Sequence, residues 1–95
     1  MYGTLAKMKV KKENLDKLRE LMDPSTARKV PGFVTSHVVV PDNWKDEIWL
    51  LAIFEDKAAY DANADSPEQH EDYVKYRALL EADPEWHDAT IETYA

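Results

Sequence analysis

The chain contains no cysteine and only two glycines among its 95 residues. Without thiols, disulfides, thiolate metal sites and covalent cysteine catalysis are excluded, and cysteine use gives no guide to compartment. The sequence contains no glycine-rich phosphate loop and no nucleophile elbow. No apolar run approaches membrane-spanning length, and the N-terminus lacks the apolar core of a signal peptide. We therefore expect a cytoplasmic protein without membrane association.

Basic side chains are outnumbered, with 12 Lys and Arg against 19 Asp and Glu and a net charge of −7. A general nucleic-acid partner is not expected, because phosphate binding needs a basic surface. The basic residues are concentrated in the first third of the chain. They suit either a solvated helix face or a local anion site.

Apolar and aromatic residues are plentiful, at 44% and 11% of the chain. This exceeds what a disordered segment carries. A chain of this size buries roughly 60–65% of its unfolded surface, so its core is modest. We expect a single domain over residues 1–95.

Apolar periodicity divides the chain into alternating strands and helices. Strands are predicted at Tyr2–Val10, Phe33–Val40, Glu47–Glu55 and Ala89–Tyr94. Helices are predicted at Lys12–Met22 with a break at Pro24 and a last turn through Lys29, at Asp56–Asn63, and at Ser66–Glu81. The last helix has the clearest start, because Ser66 can cap it, Pro67 fits its first position and Gln69 completes a capping box.

This order, β-α-β-β-α-α-β, predicts an α+β ferredoxin-like fold with helices on one face of a four-stranded antiparallel sheet. The third strand is apolar on both faces, with Ile48 and Leu50 on one and Trp49 and Leu51 on the other. Helices can cover only one face, and soluble monomers rarely keep a large exposed apolar patch. We therefore expect a homodimer formed by sheet-to-sheet packing.

Three segments resemble the antibiotic-biosynthesis-monooxygenase-like proteins of the dimeric α+β barrel superfamily. They are Val30-Pro31-Gly32-Phe33, the run IFEDKAAYDANADSPEQHEDY at residues 53–73, and the ending PEWHDATIETY at residues 84–94. The resemblance covers the whole chain in element order, although its motifs are loose. It implies a homodimeric barrel with a small pocket in each subunit between sheet and helices, and it implies no cofactor.

Members of that group include oxygenases without metal or flavin, as well as haem-degrading enzymes. The haem-degrading and quinone-forming members carry Trp, and others carry His, where this chain has Asn63. Haem-degrading members also carry Asn near Lys7 and His near Tyr73 of this sequence. These three departures argue against haem degradation.

Cofactor-free oxygenation needs an apolar pocket, a base or hydrogen-bond partner, and stabilisation of a developing anion. Candidate catalytic residues are His37, Asn63 and His70; candidate substrate-binding residues are Trp49, Tyr60 and Tyr73. We expect the helical candidates to face His37 across one pocket. Simpler roles remain open: a structural histidine at 37, surface exposure at 70, a helix cap at 63, and core packing for the tyrosines. The three histidines lack metal-ligand spacing, so no metal site is expected.

The sequence thus supports two hypotheses. One is a cofactor-independent monooxygenase-like protein that acts on or binds a small phenol- or quinol-type aromatic molecule. The other is a non-catalytic binding or assembly module on the same dimeric fold. Fold resemblance cannot choose between them.

Overall fold

The structure is a computed structural model that describes residues 1–23, 25, 29–43 and 45–94. Its elements are β1 (Tyr2–Lys9), α1 (Lys12–Met22), β2 (Phe33–Val39), β3 (Glu47–Phe54), α2 (Lys57–Ala64), α3 (Pro67–Arg77) and β4 (Glu85–Thr90). The predicted order and the α+β ferredoxin-like fold are confirmed. The predicted break at Pro24, and most of the turn after it, lie outside the described residues.

The four strands form one antiparallel sheet in the order β2-β3-β1-β4. β1 and β3 pair along their whole length, from Tyr2 opposite Phe54 to Lys9 opposite Glu47. β2 and β3, which follow each other along the chain, pair as an antiparallel hairpin. Gly3 permits the close approach of the central strands, because a Cβ there would lie 1.8 Å from the carbonyl oxygen of Ala52.

One face of the sheet, here called the covered face, packs against the helices. Its core joins α1 to the central strands: Ala6, Met8, Val10, Leu15, Leu18, Ile48 and Leu80. α2 rests on the same face through Tyr60, whose ring packs edge-on against Tyr2 and Phe54. α3 contributes Tyr76 to the edge of this core. The helical apolar stripes and the alternating strand residues therefore bury each other.

The other face, here called the open face, carries no helix of the described chain. Its central residues are apolar: Leu5, Val39, Trp49, Leu51 and Ile53. Lys7 spans their edge, with its ammonium 3.1 Å from the Glu47 carboxylate and 5.8 Å from the centroid of the Trp49 ring. The expectation that the third strand is apolar on both faces therefore holds.

Two predicted boundaries are wrong. β4 spans Glu85–Thr90 rather than Ala89–Tyr94, because its partner β1 begins at Tyr2, which pairs with Thr90. α3 ends at Arg77 instead of continuing to Glu81. There the chain turns back to the sheet, where Leu80 bridges to Val10. Local periodicity does not contain these tertiary constraints.

Candidate functional site

A cleft of about 1040 Å³ lies between the covered face and the helices and opens to solvent. Its walls come from all four strands, from the C-terminal end of α1, and from one side of α2 and α3. This volume is well above the roughly 300 Å³ at which small-molecule sites begin. The predicted pocket between sheet and helices is therefore present.

Helix caps fix the two helices that roof this cleft. Asp56 begins α2 by accepting a hydrogen bond from the backbone N–H of Ala59 at 2.8 Å. Ser66 begins α3 by accepting one from Gln69 N–H at 3.1 Å, with Pro67 in the first helical position as predicted. The Ser66 hydroxyl also donates to the carbonyl of Asn63 at 2.8 Å. One side chain thus ties the end of α2 to the start of α3.

A polar chain runs along the helical wall of the cleft. The side-chain amide of Asn63 donates to the Gln69 carbonyl oxygen at 3.2 Å. The Gln69 side chain also lies near enough to the Tyr76 phenol to lower that group's pKa slightly, against the larger effect of burial. The second half of the predicted capping box is absent, because the Ser66 N–H bonds to the Asn63 carbonyl instead of to Gln69. The Gln69 side chain therefore hydrogen-bonds within the cleft wall and does not cap α3.

A second polar group lies on the sheet side. The Tyr60 hydroxyl donates to Asp88 Oδ1 at 2.6 Å, joining α2 to β4. Thr4 lies directly opposite Asp88 in the β1–β4 pairing and is only 3% exposed. Its hydroxyl is near enough to the Tyr60 phenol to affect that group's pKa, yet it forms no hydrogen bond of good geometry. An unpaired buried hydroxyl costs roughly 1–3 kcal/mol.

Two cleft tyrosines, Tyr60 and Tyr76, are held in their neutral form. Burial raises the pKa of Tyr76 to about 12, and the nearby Tyr73 and Asp72 add to the rise. Burial also raises the pKa of Tyr60, and its hydrogen bond to Asp88 adds to the effect. Each phenol therefore remains a hydrogen-bond donor near neutral pH and does not act as a base.

Aromatic rings line both ends of the cleft. Phe54 packs edge-on against Phe33 and Tyr60, with centroids 5.5 Å apart in each pair. At the other end, Tyr73 contacts Trp86 with centroids 6.4 Å apart. Rings in such arrangements give a flat aromatic ligand both apolar area and favourable edge-to-face partners.

The charged lining of the cleft is mainly acidic. Three carboxylates line it, those of Glu20, Asp72 and Asp88. Among the described lining residues, Lys75 supplies the lysine or arginine charge. Within the described ranges, no group of three or more His, Asp or Glu side chains is arranged to hold a metal ion. Nor is any helix in this part of the chain long and apolar enough to cross a membrane.

Four of the six predicted site residues line the cleft together: Tyr60, Asn63, His70 and Tyr73. The other two, His37 and Trp49, do not. His37 pairs with Leu51, and Trp49 pairs with Lys7, all on the open face. The expectation that His37 faces the helical candidates across one pocket is therefore corrected. Successive strand residues point to opposite faces, and these two have the parity that points away from the helices.

Further lining residues were not predicted from the sequence: Thr4, Gln69, Tyr76, Trp86 and Asp88. Thr4 had a visible signal, since it is a polar residue on the otherwise apolar side of β1. Trp86 and Asp88 alternate onto one face only if β4 begins just after Pro84, so the misplaced strand boundary concealed them.

Solved structures resemble this fold over nearly the whole chain. An antibiotic biosynthesis monooxygenase-family protein from Chloroflexus aurantiacus J-10-fl is 20% identical, with 99% of this chain and 96% of that chain covered and a TM-score of 0.74. One from Deinococcus radiodurans is 12% identical, with coverages of 100% and 96% and a TM-score of 0.76. The cofactor-independent oxygenase SnoaB from Streptomyces nogalater is 14% identical, with coverages of 98% and 94% and a TM-score of 0.71. At these identities the similarity establishes the fold alone.

A comparison with curated protein sequences gives no match. The family model described as antibiotic biosynthesis monooxygenase matches residues 1–76. That range contains the first three strands, both helices that roof the cleft, and every lining residue except Trp86 and Asp88. The resemblance seen in the sequence is thereby confirmed, and the chain belongs to the antibiotic biosynthesis monooxygenase (ABM) family.

Proposed function

We propose that the protein is a cofactor-independent monooxygenase-like protein that binds a small phenol- or quinol-type molecule in the cleft. The observation that carries this proposal is the composition of the cleft wall. Two aromatic clusters line the cleft together with two separate polar groups, one around Asn63 and one around Asp88. A flat ligand with oxygen substituents matches that combination of apolar and polar surface.

The proposed reaction takes its electrons from the substrate. An acidic phenol or anthrone loses a proton, and the resulting anion reacts directly with molecular oxygen. For an anthrone, one oxygen atom enters the ring as a carbonyl and the other leaves as water with two substrate hydrogens. The protein's part is to orient the ring, accept the proton and hydrogen-bond the developing anion.

Two predicted residues have distinct roles in this proposal. His70 is exposed at the cleft on α3, and the unprotonated ring nitrogen of a neutral imidazole can accept a proton, which suits a base. The Asn63 amide, held by Gln69, suits a hydrogen bond to a substrate oxygen. Neutral Tyr76 would add a donor for the substrate anion.

Oxygen consumption with anthrone- or hydroquinone-type compounds tests the proposal. We expect substrate-dependent oxygen uptake that falls at least about 100-fold in His70→Gln, the lower end of the usual contribution of a general base. His37→Gln is the matched control, because that imidazole lies on the open face, and its rate should equal the wild type's. If no compound of this class binds or supports oxygen uptake, the enzymatic proposal is refuted.

A second candidate function is ligand binding without turnover. It is favoured by one observation, namely that cleft polar groups already bond to one another, Tyr60 to Asp88 and Asn63 to Gln69. Under this alternative the same aromatic compounds bind, but they are recovered unchanged in the presence of oxygen. Product analysis after incubation separates the two candidates.

The proposal includes a homodimer joined through the open face. Leu5 and Val39 are exposed on that face in the single chain, beside partly buried Trp49 and Leu51. Packing two such faces together would remove this apolar surface from water. Light scattering at micromolar concentration should give twice the chain mass, and a monomer would rule the dimer out.

A further inference from the structure

The group formed by Thr4, Tyr60 and Asp88 has a hydrogen-bonding capacity that the chain itself does not use. A carboxylate offers about four acceptor positions, and Asp88 receives one hydrogen bond, from Tyr60. Thr4 carries one donor and two acceptor positions on a hydroxyl with no partner among the described residues. Both side chains line the cleft.

The positions of these groups are fixed from two sides. Thr4 and Asp88 are direct cross-strand partners, so their Cβ atoms stand about 4.5–5.5 Å apart on the covered face. The Tyr60 ring is held edge-on between Tyr2 and Phe54, with centroid distances of 5.3 and 5.5 Å. Its hydroxyl therefore orients the Asp88 carboxylate at one end of the cleft.

We infer that Tyr60 and Asp88, with Thr4 beside them, form a subsite for a neutral hydroxyl group of the aromatic ligand. The ligand hydroxyl donates to Asp88, whereas the Thr4 hydroxyl oxygen is enclosed by the chain, so Thr4 borders the subsite without bonding the ligand. Asp88 binds the ligand directly, and Tyr60 acts as a positioning residue. This inference rests on the proposed function, since it assumes that an aromatic ring occupies the cleft.

The subsite also selects by charge. A carboxylate on the ligand would bring only acceptors to Asp88 and would repel it, in a cleft that already carries Glu20 and Asp72. A bare hydrocarbon would leave the subsite unused. The ligand class is therefore a hydroxylated, uncharged aromatic, and aromatic acids are excluded.

Three compounds that share the naphthalene ring system test this inference by NMR titration or calorimetry. They are naphthalene, 1-naphthol and 1-naphthoate. We expect 1-naphthol to bind about tenfold more tightly than naphthalene, the usual scale for a hydrogen bond to a charged group. We expect 1-naphthoate to bind no more tightly than naphthalene. Naphthalene reports on the cleft alone, and the naphthol preference reports on the subsite.

Variants assign the preference to named atoms. Asp88→Ala should reduce the ratio of naphthol to naphthalene affinity to about one, with both affinities measured in the same variant. Asp88→Asn should lower that ratio and also improve naphthoate binding, because the negative charge is gone. Tyr60→Phe should lower the ratio less, by about threefold, since Asp88 remains but is no longer oriented. Asp42→Ala, at an exposed turn carboxylate, is the matched control and should behave as wild type.

Equal affinity for naphthol and naphthalene in the wild type would overturn the subsite while leaving aromatic binding intact. Full retention of the preference in Asp88→Ala would do the same. Failure of all three compounds to bind would instead overturn the proposed aromatic-binding function, and the subsite with it.

Discussion

The two faces of the sheet are built from the same strands but differ in what surrounds them. On the covered face, Met8 and Ile48 are fully buried and Thr4 nearly so. On the open face, Leu5, the residue after Thr4, is 39% exposed, and Val39 of β2 is 52% exposed. The central strand β3 is apolar on both faces, so its composition does not separate them. The difference comes from the helices, which cover one face and leave a polar-lined cleft there.

This comparison separates stability from assembly. The covered face supplies the core and the cleft within one chain. The open face supplies apolar area that only another molecule can bury. Substitutions on the first face should therefore act on the free energy of unfolding, and substitutions on the second should act on association.

The largest effect is expected for Ile48→Ala. Ile48 is 0% exposed in the core beneath α1, and removing its side chain loses apolar burial and leaves a cavity. We expect a loss of about 3 kcal/mol in the free energy of unfolding. Denaturant titration measures it at fixed protein concentration, because association also contributes to stability. The control is Val39→Ala on the open face, which in the monomeric state should cost under about 1 kcal/mol; equal losses would abolish the distinction between the faces.

The next largest effect concerns association. Leu5→Glu places a carboxylate at the centre of the open face, where the proposed dimer would bury it unpaired. We expect dimer affinity to fall by at least about 30-fold, or about 2 kcal/mol, with the monomer fold retained. Sedimentation across a concentration series measures it. Val74→Glu is the control, because Val74 is 55% exposed on α3; a Leu5→Glu dimer as tight as wild type would locate the interface elsewhere.

Alternation in the sequence is sufficient to predict the sheet and to find that β3 is apolar on both sides. It cannot say which side receives the helices. A period of two allows either assignment, and every side chain changes face with it. The sequence therefore predicts the wrong face for His37, whereas Tyr60, Asn63, His70 and Tyr73, on the predicted helices, do line the cleft together. The contact between Tyr60 and Asp88 joins residues 28 apart and depends on where β4 pairs, so it is not accessible to local pattern.

A smaller effect should appear in alkali. The Tyr76 pKa rises from 10.0 to about 12 on folding, so between these values the unfolded chain loses a proton that the folded chain keeps. The contribution of the Tyr76 phenol to the free energy of unfolding is therefore fully present below pH 10 and is lost as the pH rises towards 12. With allowance for partial solvent screening, we expect Tyr76 to contribute between about 1 and 2 kcal/mol to this loss.

Tyr76→Phe removes the titrating group and tests that contribution. The difference in unfolding free energy between variant and wild type near neutral pH measures the lost contacts of the hydroxyl and any packing change. The change in that difference towards pH 12 isolates the phenol. A difference that stays constant across the alkaline range would mean that the Tyr76 hydroxyl is well solvated and lies outside the covered face.

The smallest effect is a gain in stability. Thr4→Val replaces a buried hydroxyl that has no good hydrogen bond with a methyl group of similar size. Removing an unsatisfied polar group from an apolar site should raise the free energy of unfolding by about 1 kcal/mol. For a domain of this size the melting temperature should rise by about 4–8 °C. Calorimetry measures both quantities.

The matched control for this gain is Thr35→Val on the open face, where the side chain is only partly buried and lies opposite Ile53. Its hydroxyl can reach water in the monomer, so the same substitution should change stability by less than about 0.5 kcal/mol. If Thr4→Val instead loses 1 kcal/mol or more, the Thr4 hydroxyl is satisfied in the folded chain, most simply by Tyr60. The covered face would then be a fully paired core, and its remaining hydrogen-bonding capacity at the cleft would lie with Asp88.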